Sequence, residues 1–158
     1  MKPREETYMM EAIALSQKAI DKGEGGPFGC IIVKDDTIIG RGNNKVLLLN
    51  DPTAHAEIVA IREACHHLGS FQLDDCEIYT SCEPCPMCLG AIYWARPKVV
   101  YFANTREDAA GIGFDDSMIY DEMNAGIPER KIPLKKLPVP EASAVFKNWL
   151  KNPGKLLY

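Results

Sequence analysis

The sequence predicts an α/β protein with a mixed central sheet and helices on both of its faces. Three observations point there. The apolar runs Cys30-Ile31-Ile32-Val33 and Ile38-Ile39-Gly40 flank Asp35-Asp36-Thr37 and read as a hairpin with a polar turn. Beyond the hairpin, helix, strand, helix and strand alternate, an order that lays helices over a sheet. Finally, 158 residues of 46% hydrophobic composition are the length of one compact domain, which buries about 70% of its unfolded surface. With no internal repeat and no linker, residues 1–158 are read as a single domain.

Each element has a local signal. Residues 8–21 place Met10, Ile13, Ala14, Gln17 and Ile20 near one stripe with Gly23 as a stop, so the spacing predicts an amphipathic helix. Gly25-Gly26-Pro27-Phe28-Gly29 breaks it before the hairpin. Beyond Asn50-Asp51-Pro52 a second helix is expected to start near Thr53 and run to Leu68, before Gly69. Ile78-Tyr79-Thr80 reads as a buried strand, and Pro86 suits the start of a third helix over 87–95, ended by Arg96-Pro97. Val99-Val100-Tyr101-Phe102 is a further strand, and residues 145–150 lie in a last helix.

A net charge of −4 opposes a polyanionic partner, because phosphate contacts dominate nucleic-acid affinity. A small neutral substrate suits the chain better. After residue 130, Lys131, Lys135, Lys136, Lys147, Lys151 and Lys155 face only Glu141, a pattern read as the solvated face of the C-terminal helix. Six cysteines and no apolar N-terminal run point to a reducing cytoplasm, and no stretch approaches a membrane span. Cys30, Cys65 and Cys76 lie in apolar segments and read as buried thiols; His66 and His67 read as surface residues near a helix end.

Two short stretches carry chemistry. Thr53-Ala54-His55-Ala56-Glu57 and, 25 residues on, Cys82-Glu83-Pro84-Cys85-Pro86-Met87-Cys88 together describe a zinc site with a carboxylate beside it. His55, Cys85 and Cys88 make three ligands for an ion that prefers four tetrahedral partners, so the fourth position is open to water. Glu57, two residues from His55, is placed to move that water's proton. Ligand softness favours zinc, one per chain, and leaves iron open. Both cysteines and His55 fall near helix starts, where the positive dipole end favours thiolate over thiol. Cys82 offers a rival arrangement: as a fourth ligand it would close the site and make it structural. Asp115 and Asp116 can cap the helix begun by Met118, Phe28 and Trp94 can be core, and Asn43-Asn44 can be turn residues.

His-x-Glu followed by Pro-Cys-x-x-Cys marks the zinc-dependent nucleobase deaminases. The chain resembles bacterial guanine deaminases within the cytidine-deaminase-like superfamily, over essentially its whole length. The residues that carry the resemblance are Gly25-Gly26-Pro27-Phe28-Gly29, Asn50-Asp51-Pro52 with the histidine motif, Cys82 to Cys88 with Leu89-Gly90-Ala91-Ile92-Tyr93-Trp94-Ala95-Arg96-Pro97, and Gly113-Phe114-Asp115-Asp116-Ser117. The resemblance implies a three-layer cytidine-deaminase-like fold. It implies zinc on His55, Cys85 and Cys88, with Glu57 as proton shuttle and Asp116 as a second acid, leaving open whether Asp115 takes that part. Phe28 would stack on the purine, Asn44 would hydrogen-bond its ring edge, Trp94 would contact it, and Tyr158 would close the pocket. It further implies a homodimer in which roughly residues 140–158 are exchanged between subunits. The expected reaction is hydrolytic deamination of guanine to xanthine and ammonia. A tRNA adenosine deaminase, a deaminase of another aminated ring such as cytosine, and a non-catalytic zinc module remain the alternatives, although the acidic rim of Glu107, Asp108, Asp115, Asp116, Asp121 and Glu122 disfavours a folded RNA.

Overall fold

A two-residue turn organises the first half of the sheet. Asp35 and Asp36 both adopt positive φ, 47° and 60°, as a tight hairpin turn requires. They join β1 (Gly29–Lys34) to β2 (Thr37–Asn43) as an antiparallel pair. β3 (Glu77–Cys82) runs antiparallel to β1, and β4 (Val99–Asn104) runs parallel to β3, giving the order β2-β1-β3-β4. This computed structural model describes residues 3–158, which form two compact units, one ending at Ser117 and one spanning Met118–Tyr158. Among the described residues no helix is long and apolar enough to cross a membrane.

Strand alternation divides the core of the first unit. Cys30, Ile32 and Ile78 face α3 (Ala56–Leu68) and α4 (Pro86–Ala95), where Ala56, Ala60, Ala64, Ile92 and Ala95 are buried with them. Ile31, Val33 and Tyr79 point the other way, onto α1 (Arg4–Asp21) at Ala12, Tyr8, Met9 and Leu15. The result is the expected sheet with helices on both faces.

α1 packs on a different face from the one its large apolar residues suggest. Met10, Ile13 and Ile20 are exposed, whereas Ala12 and Ala19 are fully buried. Small side chains set the contact because they let helix and sheet backbones come close, and dispersion depends steeply on that distance. α3 shows the same logic against β2. A Cβ on Gly42 would overlap the carbonyl oxygen of Ala56, so the first turn of α3 sits where only glycine lets it.

The expected helix near Thr53 begins three residues later, at Ala56. The intervening residues make a turn in which the amide and hydroxyl of Thr53 both donate to Asp51 Oδ1, at 2.8 and 2.7 Å. Those bonds hold the Asp51 carboxyl below its ordinary range. Gly69 then ends α3 at φ 61°, its N–H reaching the Cys65 and His66 carbonyls. Two short helices, α2 (Val46–Leu49) and α5 (Arg106–Gly111), have no counterpart in the sequence reading. The second unit holds most of α6 (Ser117–Asn124), a 3-10 turn (Ile127–Glu129) and α7 (Pro140–Lys151), which extends the expected last helix by several residues. No residue of α7 is buried.

An ionic cluster ties α1 to the hairpin end of the sheet. Arg4 pairs with Asp36 and, at 2.8 Å, with Glu77, whose Oε2 also accepts from the Tyr79 hydroxyl at 2.7 Å. The guanidinium lies 4.9 Å from the centre of the Tyr8 ring. Arg4 first, and Tyr79 second, hold Glu77 below the ordinary carboxylate range. A carboxylate depressed in the folded state contributes stability that is present above its unfolded pKa and is lost as pH falls through its folded pKa. Arg4→Ala is therefore expected to lower the melting temperature at neutral pH, with the gap to wild type closing as Glu77 protonates in acid. Thermal unfolding followed by circular dichroism across that pH range checks both the loss and its sign.

Candidate active site

Two helix starts build the site. His55 is the N-cap of α3 and Cys85 the N-cap of α4, each with extended backbone (φ −69°, ψ 158° and φ −63°, ψ 167°). The first helical bonds begin at their carbonyls, from Val59 and Leu89 at 3.0 and 2.8 Å. Pro86 occupies the first helical position of α4, where a missing N–H costs no helical bond. Cys88 follows one turn on and is fully buried. The turn before Cys85 is fixed from β4: Glu83 N donates to Asn104 O at 2.8 Å, and its carboxylate accepts from Arg106 N at 3.1 Å.

These helix starts bring His55, Cys85 and Cys88 together, with one potential ligand atom of each within 4.8 Å of the others. His55 Nδ1 lies 3.5 Å from Cys85 Sγ and 3.6 Å from Cys88 Sγ. Tetrahedral zinc with Zn–S near 2.3 Å and Zn–N near 2.0–2.1 Å separates sulfur and nitrogen by about 3.6 Å, so the donor set fits that ion in kind and in spacing. Cys82 stands apart from this group. Its thiol, buried at the end of β3, donates to the Thr105 carbonyl at 3.4 Å. The closed four-ligand arrangement is therefore not the one the fold builds.

The electrostatics suit thiolate ligation. A hydrogen bond from Cys88, and then the one to His55, pull the Cys85 thiol down to about 4. The same contact to Cys85, reinforced by burial, holds Cys88 in its protonated form. Two adjacent sulfurs thus share one proton, and a divalent cation is the charge that lets both be thiolates. His55 is raised, chiefly by its bond to Cys85.

Glu57 is only 5% exposed. The Thr80 hydroxyl donates to its Oε1 at 2.7 Å, and the Cys88 thiol reaches its Oε2 at 3.4 Å. Desolvation raises its proton affinity, while the Thr80 bond resists that rise. Sequence reasoning missed Thr80; as a hydroxyl side chain in a strand read as buried, it was the available signal. The two aspartates separate clearly. Asp115 Oδ1 accepts from Ser117 N at 2.9 Å and is held down by that cap. Asp116 is half-buried and raised, first by desolvation and then by the nearby charge of Cys85.

The remaining expected contacts are placed less uniformly. Phe28 is half-buried and meets Phe114 edge-on, 5.0 Å between ring centres at 87°, a brace that the sequence did not reveal. Asn44 is buried just past the end of β2, its N–H donating to the Phe28 carbonyl at 3.0 Å and its Oδ1 accepting from Val46 N at 3.1 Å. Trp94 is not a core residue: it is 64% exposed on α4. Tyr158 lies in the second unit and is 69% exposed.

Fold and site together identify a member of the cytidine and deoxycytidylate deaminase family, whose zinc-binding region matches residues 2–104. Guanine deaminase of Bacillus subtilis (strain 168) is 55% identical over 144 residues, covering 91% of this chain and 92% of that protein. The X-ray structure of guanine deaminase from Bacillus subtilis superposes with a TM-score of 0.94 at 53% identity, covering 97% of this chain and 98% of that one. A tRNA-specific adenosine deaminase of Aquifex aeolicus (strain VF5) is 33% identical over 147 residues, 93% of this chain and 94% of that protein. Zinc is the cofactor to which the family and the three donors both point.

Metal analysis tests the ligand set directly. Cys82→Ser is expected to retain about one zinc per chain, whereas Cys85→Ser and His55→Ala lose most of it. Atomic absorption on purified variants reads the stoichiometry. Loss of zinc in Cys82→Ser with the fold intact would contradict the three-ligand assignment.

Proposed function

We propose that this protein is a zinc-dependent hydrolase that converts guanine and water to xanthine and ammonia. The observation that carries this reading is the relationship to a guanine deaminase along nearly the full length of both chains. His55 Nδ1 and the sulfurs of Cys85 and Cys88 are the residues that would hold the metal. Zinc, when bound there, supplies the Lewis acidity that makes water a nucleophile at neutral pH.

The residues around it divide the remaining work. The reaction forms a C–O bond at C2 of the purine and breaks the bond from C2 to the exocyclic nitrogen. Glu57 takes the first proton of the attacking water and delivers it to ring N3; it then carries the second to the departing amino group, which leaves as ammonia. Its burial raises its affinity for the proton it must hold between these transfers. The Thr80 hydroxyl fixes Oε1, leaving Oε2 on the side of Cys88. Asp116, raised by its own partial burial, assists as the second acid at the leaving nitrogen. Phe28 stacks on the base, backed by Phe114, while the Asn44 amide donates to an acceptor on the ring edge. Trp94 forms part of the pocket mouth.

The same reading extends to assembly and location. With no buried residue in α7, and with Phe146, Leu150 and Leu157 exposed within a single chain, residues 140–158 need a cover, since apolar burial stabilises by roughly 25 cal/mol per Å². The protein acts as a homodimer of single deaminase domains that exchange this segment, so that Tyr158 of each copy closes the other's pocket. Six free cysteines suit a reducing compartment, and the enzyme works in the cytoplasm on free purine in guanine breakdown.

Turnover measured on guanine, adenine, cytosine, cytidine and a tRNA anticodon stem tests the substrate. Guanine is expected to exceed every other by about 10²-fold or more in kcat/KM. Preference for the RNA would replace this reading with the adenosine deaminase one. In the same assay Glu57→Gln is expected to keep its zinc and lose about 10²- to 10⁴-fold in kcat; near-normal turnover would remove Glu57 from the mechanism.

A further inference from the structure

Glu24 stands just past the end of α1 and touches both flanks of Asn44. Its carboxylate accepts from Asn43 Nδ2 at 2.6 Å, and Asn43 is itself only 3% exposed. Its main-chain oxygen accepts from Leu47 N and Leu48 N at 3.1 and 3.0 Å, in the first turn of α2. The next residue seals the arrangement, because a side chain on Gly25 would overlap Asn44 Oδ1. Between these anchors the Asn44 side chain is held by its oxygen, which accepts from Val46 N, while its main-chain N–H donates to the Phe28 carbonyl.

We propose that Glu24 is a positioning residue for base recognition, which clamps Asn43 on one side of Asn44 and α2 on the other and so aims the Asn44 amide N–H group at the purine edge. This rests on the assignment of Asn44 as a base contact. The role is one of geometry. A carboxylate accepts a short, charge-assisted bond from the buried Asn43 amide, so the strand end cannot rotate without breaking it. Removing that bond loosens the donor that meets the substrate while leaving the zinc ligands and Glu57 untouched.

The test compares steady-state kinetics on guanine for Glu24→Ala, Glu24→Gln and Asn44→Asp, together with zinc content and melting temperature. Asn44→Asp keeps an oxygen for Val46 N but replaces the amide donors with a charged acceptor, and it is expected to raise KM. Glu24→Ala is expected to raise KM about tenfold, the effect of about one charge-assisted hydrogen bond, with kcat within about twofold and zinc unchanged. Glu24→Gln still accepts from Asn43 and should return KM to within about threefold of wild type. In the Asn44→Asp background, Glu24→Ala should add less than about twofold. If Asn44→Asp raises KM and Glu24→Ala does not, the positioning role falls and the base contact stands. If Asn44→Asp leaves KM unchanged, both fall. A Glu24→Ala protein that loses zinc, kcat and melting temperature together has only a structural residue there, which also overturns the proposal.

Discussion

The absence of a side chain at Gly42 is the constraint on which the site depends. Because nothing projects from β2 at that point, the start of α3 lies directly on the sheet, and the residues that begin the helix are carried inward with it. His55 thereby reaches the two sulfurs at the start of α4, and Glu57 is drawn in until only 5% of it is exposed. A methyl group there would push the turn outward by more than the few tenths of an ångström that metal coordination tolerates. The metal ligands are thus placed by helix-to-sheet packing, and that packing is set by the smallest residue available.

Inward placement has an electrostatic consequence. A carboxylate with so little solvent is pushed toward its neutral form, as expected for charge moved out of water. The Thr80 hydroxyl, donating to Oε1, counters part of that push. The neighbouring aspartates show how local bonding separates like residues: Asp115 accepts from an amide two residues on and is held down, whereas Asp116 is raised by its partial burial.

Much of the fold was legible in the chain because it depends on local pattern. The hairpin follows from apolar runs around two aspartates, and the ligand trio from the spacing of His55, Cys85 and Cys88 with a helix-starting proline between the cysteines. What escaped depends on which surfaces meet. The stripe Met10, Ile13 and Ile20 has helical period, yet the sheet takes the face bearing Ala12 and Ala19, since backbone approach there outweighs the size of the side chains. The short α2 owes its place to contacts made in space, its amides being received by the carbonyl of Glu24 over twenty residues earlier, and no local periodicity announces such an element. Thr80 looked like one more strand residue because its partner lies 23 positions away.

The sheet has two unlike ends. At one, Arg4, Asp36 and Glu77 gather around the turn of the hairpin; at the other, Asn44, Cys82 and the ligand trio meet the helix starts. Glu77 and Cys82, at opposite ends of β3, are about 17 Å apart along an extended strand. Asp35 and Asp36 therefore offer a point of attachment remote from the reacting atoms. The protein can be immobilised on a support by a tether grafted at that turn, with its working end facing the bulk solution.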